Sequence, residues 1–121
     1  MNRTALTEGL LKAVDDMDTD GFAGFLADEV SFRFGNADTV HGKAATREAV
    51  AGFFASIKSL RHELERVWDQ EDAVVCQGMV TYTRHDSTTL KVPFVNVLIL
   101  ENDRIGEYLI YVDASQLYSA S

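Results

Sequence analysis

The chain has 121 residues with a formal net charge of −8, and 46% of them are hydrophobic against 25% charged. That length and balance describe one folded domain over 1–121, with a core of useful size and no compositional bias toward disorder. The acidic excess excludes nucleic acid and anionic membrane surfaces as partners, since both are bound by Lys and Arg neutralising phosphate.

A single cysteine, Cys76, rules out an internal disulfide or a cysteine-rich metal cluster and fits a reducing cytoplasm. The opening "MNRTALTEGLLKAVDD" turns acidic too early for a signal peptide. No apolar run approaches the roughly 18 residues that span a bilayer.

In chain order, Leu6, Leu10, Ala13, Val14 and Met17 recur at three- and four-residue steps and predict an amphipathic helix. Asp20 is placed to cap a second, short helix carrying Phe22, Phe25 and Leu26. "VSFRF" at 30–34 reads as a brief strand, and "GNADTVHG" as a loop. A third helix, 43–59, gathers Val50, Phe53, Phe54 and Ile57 on one side. The period then changes to two, giving strands near 62–69, 73–84, 90–100 and 105–113, separated by the polar turns "DQED", "HDST" and "ENDR". Helices followed by a meander define the α+β class, three helices packed on one face of a curved antiparallel sheet.

Two-residue turns at Gln70-Glu71, Asp86-Ser87 and Asn102-Asp103 assign side chains to faces. One face then holds His62, Leu64, Trp68, Gln77, Met79, Thr81, Phe94, Asn96, Leu109, Tyr111 and Asp113. The other shows Val80, Tyr82, Val95, Val97, Ile99, Tyr108, Ile110 and Val112. That second face is too apolar for water, and a sheet-to-sheet homodimer is its simplest cover. A one-residue slip in any turn reverses part of the assignment.

The order of elements, together with "DTDGFAGFLADEVSFRFG", "HGKAATREAVAGFF" and "RIGEYLIYVD", resembles the nuclear transport factor 2-like superfamily, and within it the SnoaL-like and ketosteroid-isomerase-like proteins. The resemblance covers nearly the whole chain. It implies a cone in which helices and sheet enclose an apolar pocket, usually in a homodimer. It also implies either cofactor-free acid/base chemistry of isomerase, cyclase or epoxide-hydrolase type on a small, largely apolar molecule, or a non-catalytic binding or dimer-assembly module. Fold alone does not choose between them. Matched to ketosteroid isomerase, the base falls on Phe34, the oxyanion tyrosine on Leu10 and the oxyanion aspartate on Asn96, which argues against steroid isomerisation. The "YVD" ending at Asp113 is similar to the last-strand aspartate of limonene-epoxide-hydrolase-like and SnoaL-like enzymes. Arg84-His85-Asp86 matches the hydrolases' Arg-x-Asp in letters, but in a turn.

Candidate catalytic residues are therefore Asp113, expected to have a raised pKa in an apolar pocket, with Asn96 and His62. Capping of the strand end is the competing reading of Asp113. Tyr111, Trp68, Phe34, Phe94, Met79, Leu109 and Thr81 are the candidate substrate-binding residues, with Gln77 a weaker one. His41 and His85 read as loop residues. Asp15-Asp16, Asp18, Asp20 and Glu71-Asp72 lack calcium-loop spacing and read as solvated surface or helix caps. No zinc-ligand pair or phosphate loop is present, so neither metal nor cofactor is expected.

Overall fold

Apolar side chains at helical spacing fold the first segment into α1 (Arg3–Asp15), which buries Leu10, Leu11 and Ala13; the computed structural model describes residues 3–118. Helix α2 (Thr19–Ala23) is capped by Asp18, not Asp20: the Asp18 carboxylate accepts from the Gly21 N–H at 2.9 Å. Asp20 instead pairs with Arg47 of α3 (Lys43–Ala55). The third helix turns Val50 and Phe54 into the core and ends at Ala55 with Ser56 as its C-cap, short of the expected Ser59.

The strands are β1 (Leu26–Phe34), β2 (Val40–His41), β3 (Ser59–Gln70), β4 (Ala73–Thr83), β5 (Thr89–Glu101) and β6 (Arg104–Val112), in the sheet order β2-β1-β6-β5-β4-β3. The first strand begins four residues before the patterned stretch, and β2 lies in what reads as loop. Strands β3 to β6 form the antiparallel meander, while β1 pairs with β6 in parallel. With α1 against β3 and α3 against β1, the helices cover one face of a curved, unclosed sheet, the α+β cone.

The register departs from the two-residue-turn scheme at three places. Asn102-Asp103 is the turn foreseen, with φ of 48° and 68°, the left-handed pair a tight hairpin needs. Just beyond it, Leu100 pairs with Ile105 but Ile99 with Glu107, which leaves Gly106 as the extra residue of a bulge. Between β4 and β5, Thr83 faces Thr89, so the loop centres on Asp86. The β3–β4 turn is Glu71-Asp72, and a second bulge puts Glu65 between Leu64, opposite Gly78, and Arg66, opposite Gln77. A Cβ at Gly78 would collide with the Glu63 carbonyl oxygen. Gly78→Ala should accordingly lose about 1–3 kcal/mol in a denaturant melt, by overpacking.

Each shift reverses a face. Cys76, Val80 and Tyr82 of β4 turn inward, as do Tyr108, Ile110 and Val112 of β6. Gln77, Met79, Thr81, Leu109 and Tyr111 turn outward with Val75, Val95, Val97 and Ile99. Trp68, beyond the β3 bulge and opposite Val75, is also outside and about half exposed.

Cys76 is fully buried on the inner face of β4, and burial pushes its thiol up to about 11. At pH 8 that leaves about 100-fold less thiolate than an ordinary cysteine has. Iodoacetamide labelling followed by mass spectrometry should therefore be slower by at least that factor in native protein than in urea. The folded state holds this proton more tightly, so its contribution to stability is complete below pH 9 and lost as pH rises toward 11.

Candidate functional site

The inward sheet face and the helices enclose a cavity of about 190 Å³. Its wall is aromatic: Phe32 meets Tyr108 edge-on at 5.4 Å, Phe34 packs on Phe53 at 5.1 Å, and Phe53 meets Tyr82 edge-on at 5.9 Å. Interlocked rings of this kind hold the space open at little conformational cost. The exposed Ala37 and Asp38, in the loop after β1, form its mouth.

Five residues that carry polar groups line the cavity: Asp38 at the mouth, and His62, Tyr82, Asn96 and Tyr108 within. His62 sits early in β3, and Asp15 is the last residue of α1. One carboxylate of Asp15 takes both of the histidine's nearby nitrogens, with Oδ2 accepting the His62 backbone N–H at 3.0 Å and Oδ1 meeting Nδ1 at 2.6 Å. A carboxylate can only accept, so this contact places a proton on Nδ1 and leaves Nε2 as the free lone pair of the neutral ring. Phe94, edge-on to the imidazole at 4.9 Å, fixes the ring plane. The His62 side chain is 10% exposed and Asp15 24%. A carboxylate at a helix C-terminus opposes the helix dipole, and the His62 contact offsets that cost.

Asn96 is 2% exposed and sits opposite Cys76 on the neighbouring strand, and its Oδ1 is buried without a partner. Among the described residues no group of three or more His, Cys, Asp or Glu is placed to hold a metal, and no helix is long and apolar enough to cross a membrane.

The sequence pattern of the SnoaL-like domain matches residues 7–108. The chain belongs to the SnoaL-like family. An NTF2-like protein of unknown function from Burkholderia pseudomallei has the same fold, with a TM-score of 0.87 at 18% identity over 97% of this chain and 95% of that one. An LEH-like epoxide hydrolase of M. tuberculosis superposes with a TM-score of 0.79 at 15% identity, over 93% and 83% of the two chains. A protein with a ketosteroid isomerase-like fold from Catenulispora acidiphila, in complex with trimethylamine, gives 0.80 at 14% identity over 87% and 82%. The chain matches no curated protein sequence.

Within this SnoaL-like cone, His62, Asn96, Phe34 and Phe94 share the cavity wall. The other candidates do not. Leu109, Tyr111, Met79, Thr81 and Trp68 are outside because of the register shifts, and Arg33 approaches the Tyr111 ring at 6.0 Å there. Asp113 is exposed just past the end of β6, and its Oδ1 accepts the Ser115 backbone N–H at 3.0 Å. Hydrogen bonds from the Ser115 hydroxyl and backbone hold its carboxyl below the usual range, the opposite of the expected raised value. It caps the turn after the strand.

Arg84 also stays away from the cavity. Its guanidinium donates to the carbonyls of Gln116 and Leu117, both at 2.9 Å, and straps the C-terminal segment down. Asp86 accepts from the Thr88 backbone N–H and hydroxyl in the hairpin loop. His41 and His85 contact Ser31 and the Ala55 carbonyl at the surface. Asp15 is the residue that sequence reasoning missed. Its signal was its spacing, four residues after the buried Leu11 and so on the same helix face.

Proposed function

We propose that this SnoaL-like protein is a cofactor-free acid/base enzyme acting on a small, largely apolar organic molecule, with His62 moving the proton and Asp15 positioning it. The observation that carries this reading is that His62, held by Asp15 from behind, lines the wall of an aromatic cavity. Nε2 takes a proton from the bound molecule, the Asp15 carboxylate stabilises the imidazolium that forms, and the same nitrogen returns the proton to another atom. That sequence serves an isomerisation or a cyclisation, and with a bound water it serves hydrolysis. Asn96 orients the molecule, and Phe34 and Phe94 form part of its apolar bed.

Two copies associate through the outer sheet face, where Val75, Val95, Val97 and Leu109 lie side by side across the strands. The lone, buried Cys76 suits the cytoplasm.

Cyclohexanone in D2O tests the chemistry. Wild type should accelerate exchange of its α-protons, followed by NMR, and His62→Gln should lose about 100-fold or more of that rate. Equal rates in the two proteins would remove His62 from the mechanism. Asp113's place outside the cavity favours one second reading, a binding module whose pocket performs no chemistry. Cyclohexanone bound in the cavity without exchange would support it.

A further inference from the structure

The charge around the cavity decides which molecules can leave water for it. All 11 Lys and Arg side chains belong to the described residues, and none of them lines the cavity. With His62 neutral, the one charged residue of the wall is Asp38, exposed at the mouth. His62 does not supply the missing cation. Asp15 Oδ1 lies 2.6 Å from its Nδ1, so even the protonated ring belongs to a pair whose charges sum to zero.

The wall also resists negative charge on its own side chains, since burial raises the phenols of Tyr82 and Tyr108. An anionic ligand meets the same penalty. A carboxylate stripped of water needs a counter-charge, and the cavity has none. The net charge of −8 adds repulsion at longer range. An ammonium group is treated differently, because it can stay in water beside Asp38 while the apolar part of its molecule enters. Size narrows the class further. A dry cavity of about 150 Å³ holds one benzene molecule, so about 190 Å³ admits one ring and a substituent or two, and a fused polycycle exceeds it.

We infer that the cavity takes a single-ring molecule that is uncharged or bears an ammonium group and rejects carboxylates, with Asp38 setting this selection at the mouth. This rests on reading the cavity as a ligand site. An acid must therefore be esterified, amidated or decarboxylated by a preceding reaction before it can enter. Benzyl alcohol, benzylamine and benzoate are the probes, one ring each and neutral, cationic and anionic at pH 7, with 1-naphthalenemethanol as the larger alcohol. In titration calorimetry at low salt, benzyl alcohol and benzylamine should each bind tighter than benzoate by about 10-fold or more. Crystallography of the benzyl alcohol complex should show the ring in the cavity. Asp38→Lys, at an exposed position, should weaken benzylamine and narrow the gap between benzyl alcohol and benzoate by about 10-fold. Its affinity for benzyl alcohol should stay within about twofold of wild type, since that probe carries no charge for Asp38 to act on.

Benzoate binding as tightly as benzyl alcohol or benzylamine would overturn the charge selection and leave the cavity a ligand site. An unchanged gap in Asp38→Lys would overturn the part assigned to Asp38. 1-Naphthalenemethanol binding as well as benzyl alcohol would overturn the single-ring limit. Failure of benzyl alcohol and benzylamine to enter the cavity would overturn the inference and the ligand-site reading together.

Discussion

Asp15→Asn should slow proton transfer in the cavity by about 100- to 10,000-fold while leaving the protein folded. The asparagine oxygen can still accept the His62 backbone N–H, which the Asp15 carboxylate holds at 3.0 Å. Its amide nitrogen, facing Nδ1, is a donor, so the ring proton moves to Nε2 and the cavity loses its lone pair. Two readouts separate this positioning role from a structural one. The nitrogen NMR shifts of His62 should report the exchanged tautomer, and kcat should fall further than KM changes. Asp15→Ala, which removes the acceptor of a part-buried backbone N–H, should in addition cost about 1–3 kcal/mol. If Asp15→Asn shows the Nε2–H tautomer and an unchanged rate, His62 is not the base.

Val97→Asp should weaken self-association by about 100-fold or more, near 2.7 kcal/mol. Val97 lies between Val75 and Leu109 across neighbouring strands, with Trp68 next to Val75, so the substitution puts a charge at the centre of the apolar stripe. Charged groups lie around it: Lys91 is 3.5 Å from Glu63, and Arg33 stands over Tyr111. A twofold pairing of such faces buries the apolar centre twice and leaves the charges at the rim. Sedimentation at micromolar concentration should give twice the chain mass for wild type and the chain mass for Val97→Asp. A wild-type monomer would mean the face is covered in another way.

The α+β class, the order of helices and strands and the Asn102-Asp103 turn were legible because each has a local cause: a 3.6-residue period, a 2-residue period, a residue pair that accepts positive φ. Register was not local. The Gly106 bulge reversed β6, and the loop centred on Asp86 reversed β4, which sent Tyr111, Asp113, Met79 and Thr81 to the wrong face. On β3 two single-residue errors cancelled, so His62 was placed correctly. Beyond Glu65 a further shift sent Trp68 outward. The clue was present, since an isolated glycine within a strand marks a bulge or a close backbone approach. Gly106 is the extra residue of one bulge, and Gly78 lies opposite the other. Asp15 was harder, because its partner is 47 residues away and only the folded cone brings α1 onto β3.

The strand made last in chain order is also an interior strand. Between β5 and β1, β6 carries Tyr108 and Ile110 into the cavity wall, and its parallel pairing with β1 joins residues near 30 to residues near 110. During synthesis β1, paired until then only with the two-residue β2, therefore waits through the whole meander for its second partner. The meander can zip locally, but the helices have no complete floor to settle on until β6 arrives. Such long-range closure places folding on the millisecond-to-second scale typical of sheet proteins rather than the microseconds of helical bundles. In that interval the inner faces of β1 and β5 are open to other chains as well as to their own. A ribosome-stalled chain ending before residue 104 should bind hydrophobic dyes and chaperones, and release them once β6 has been added.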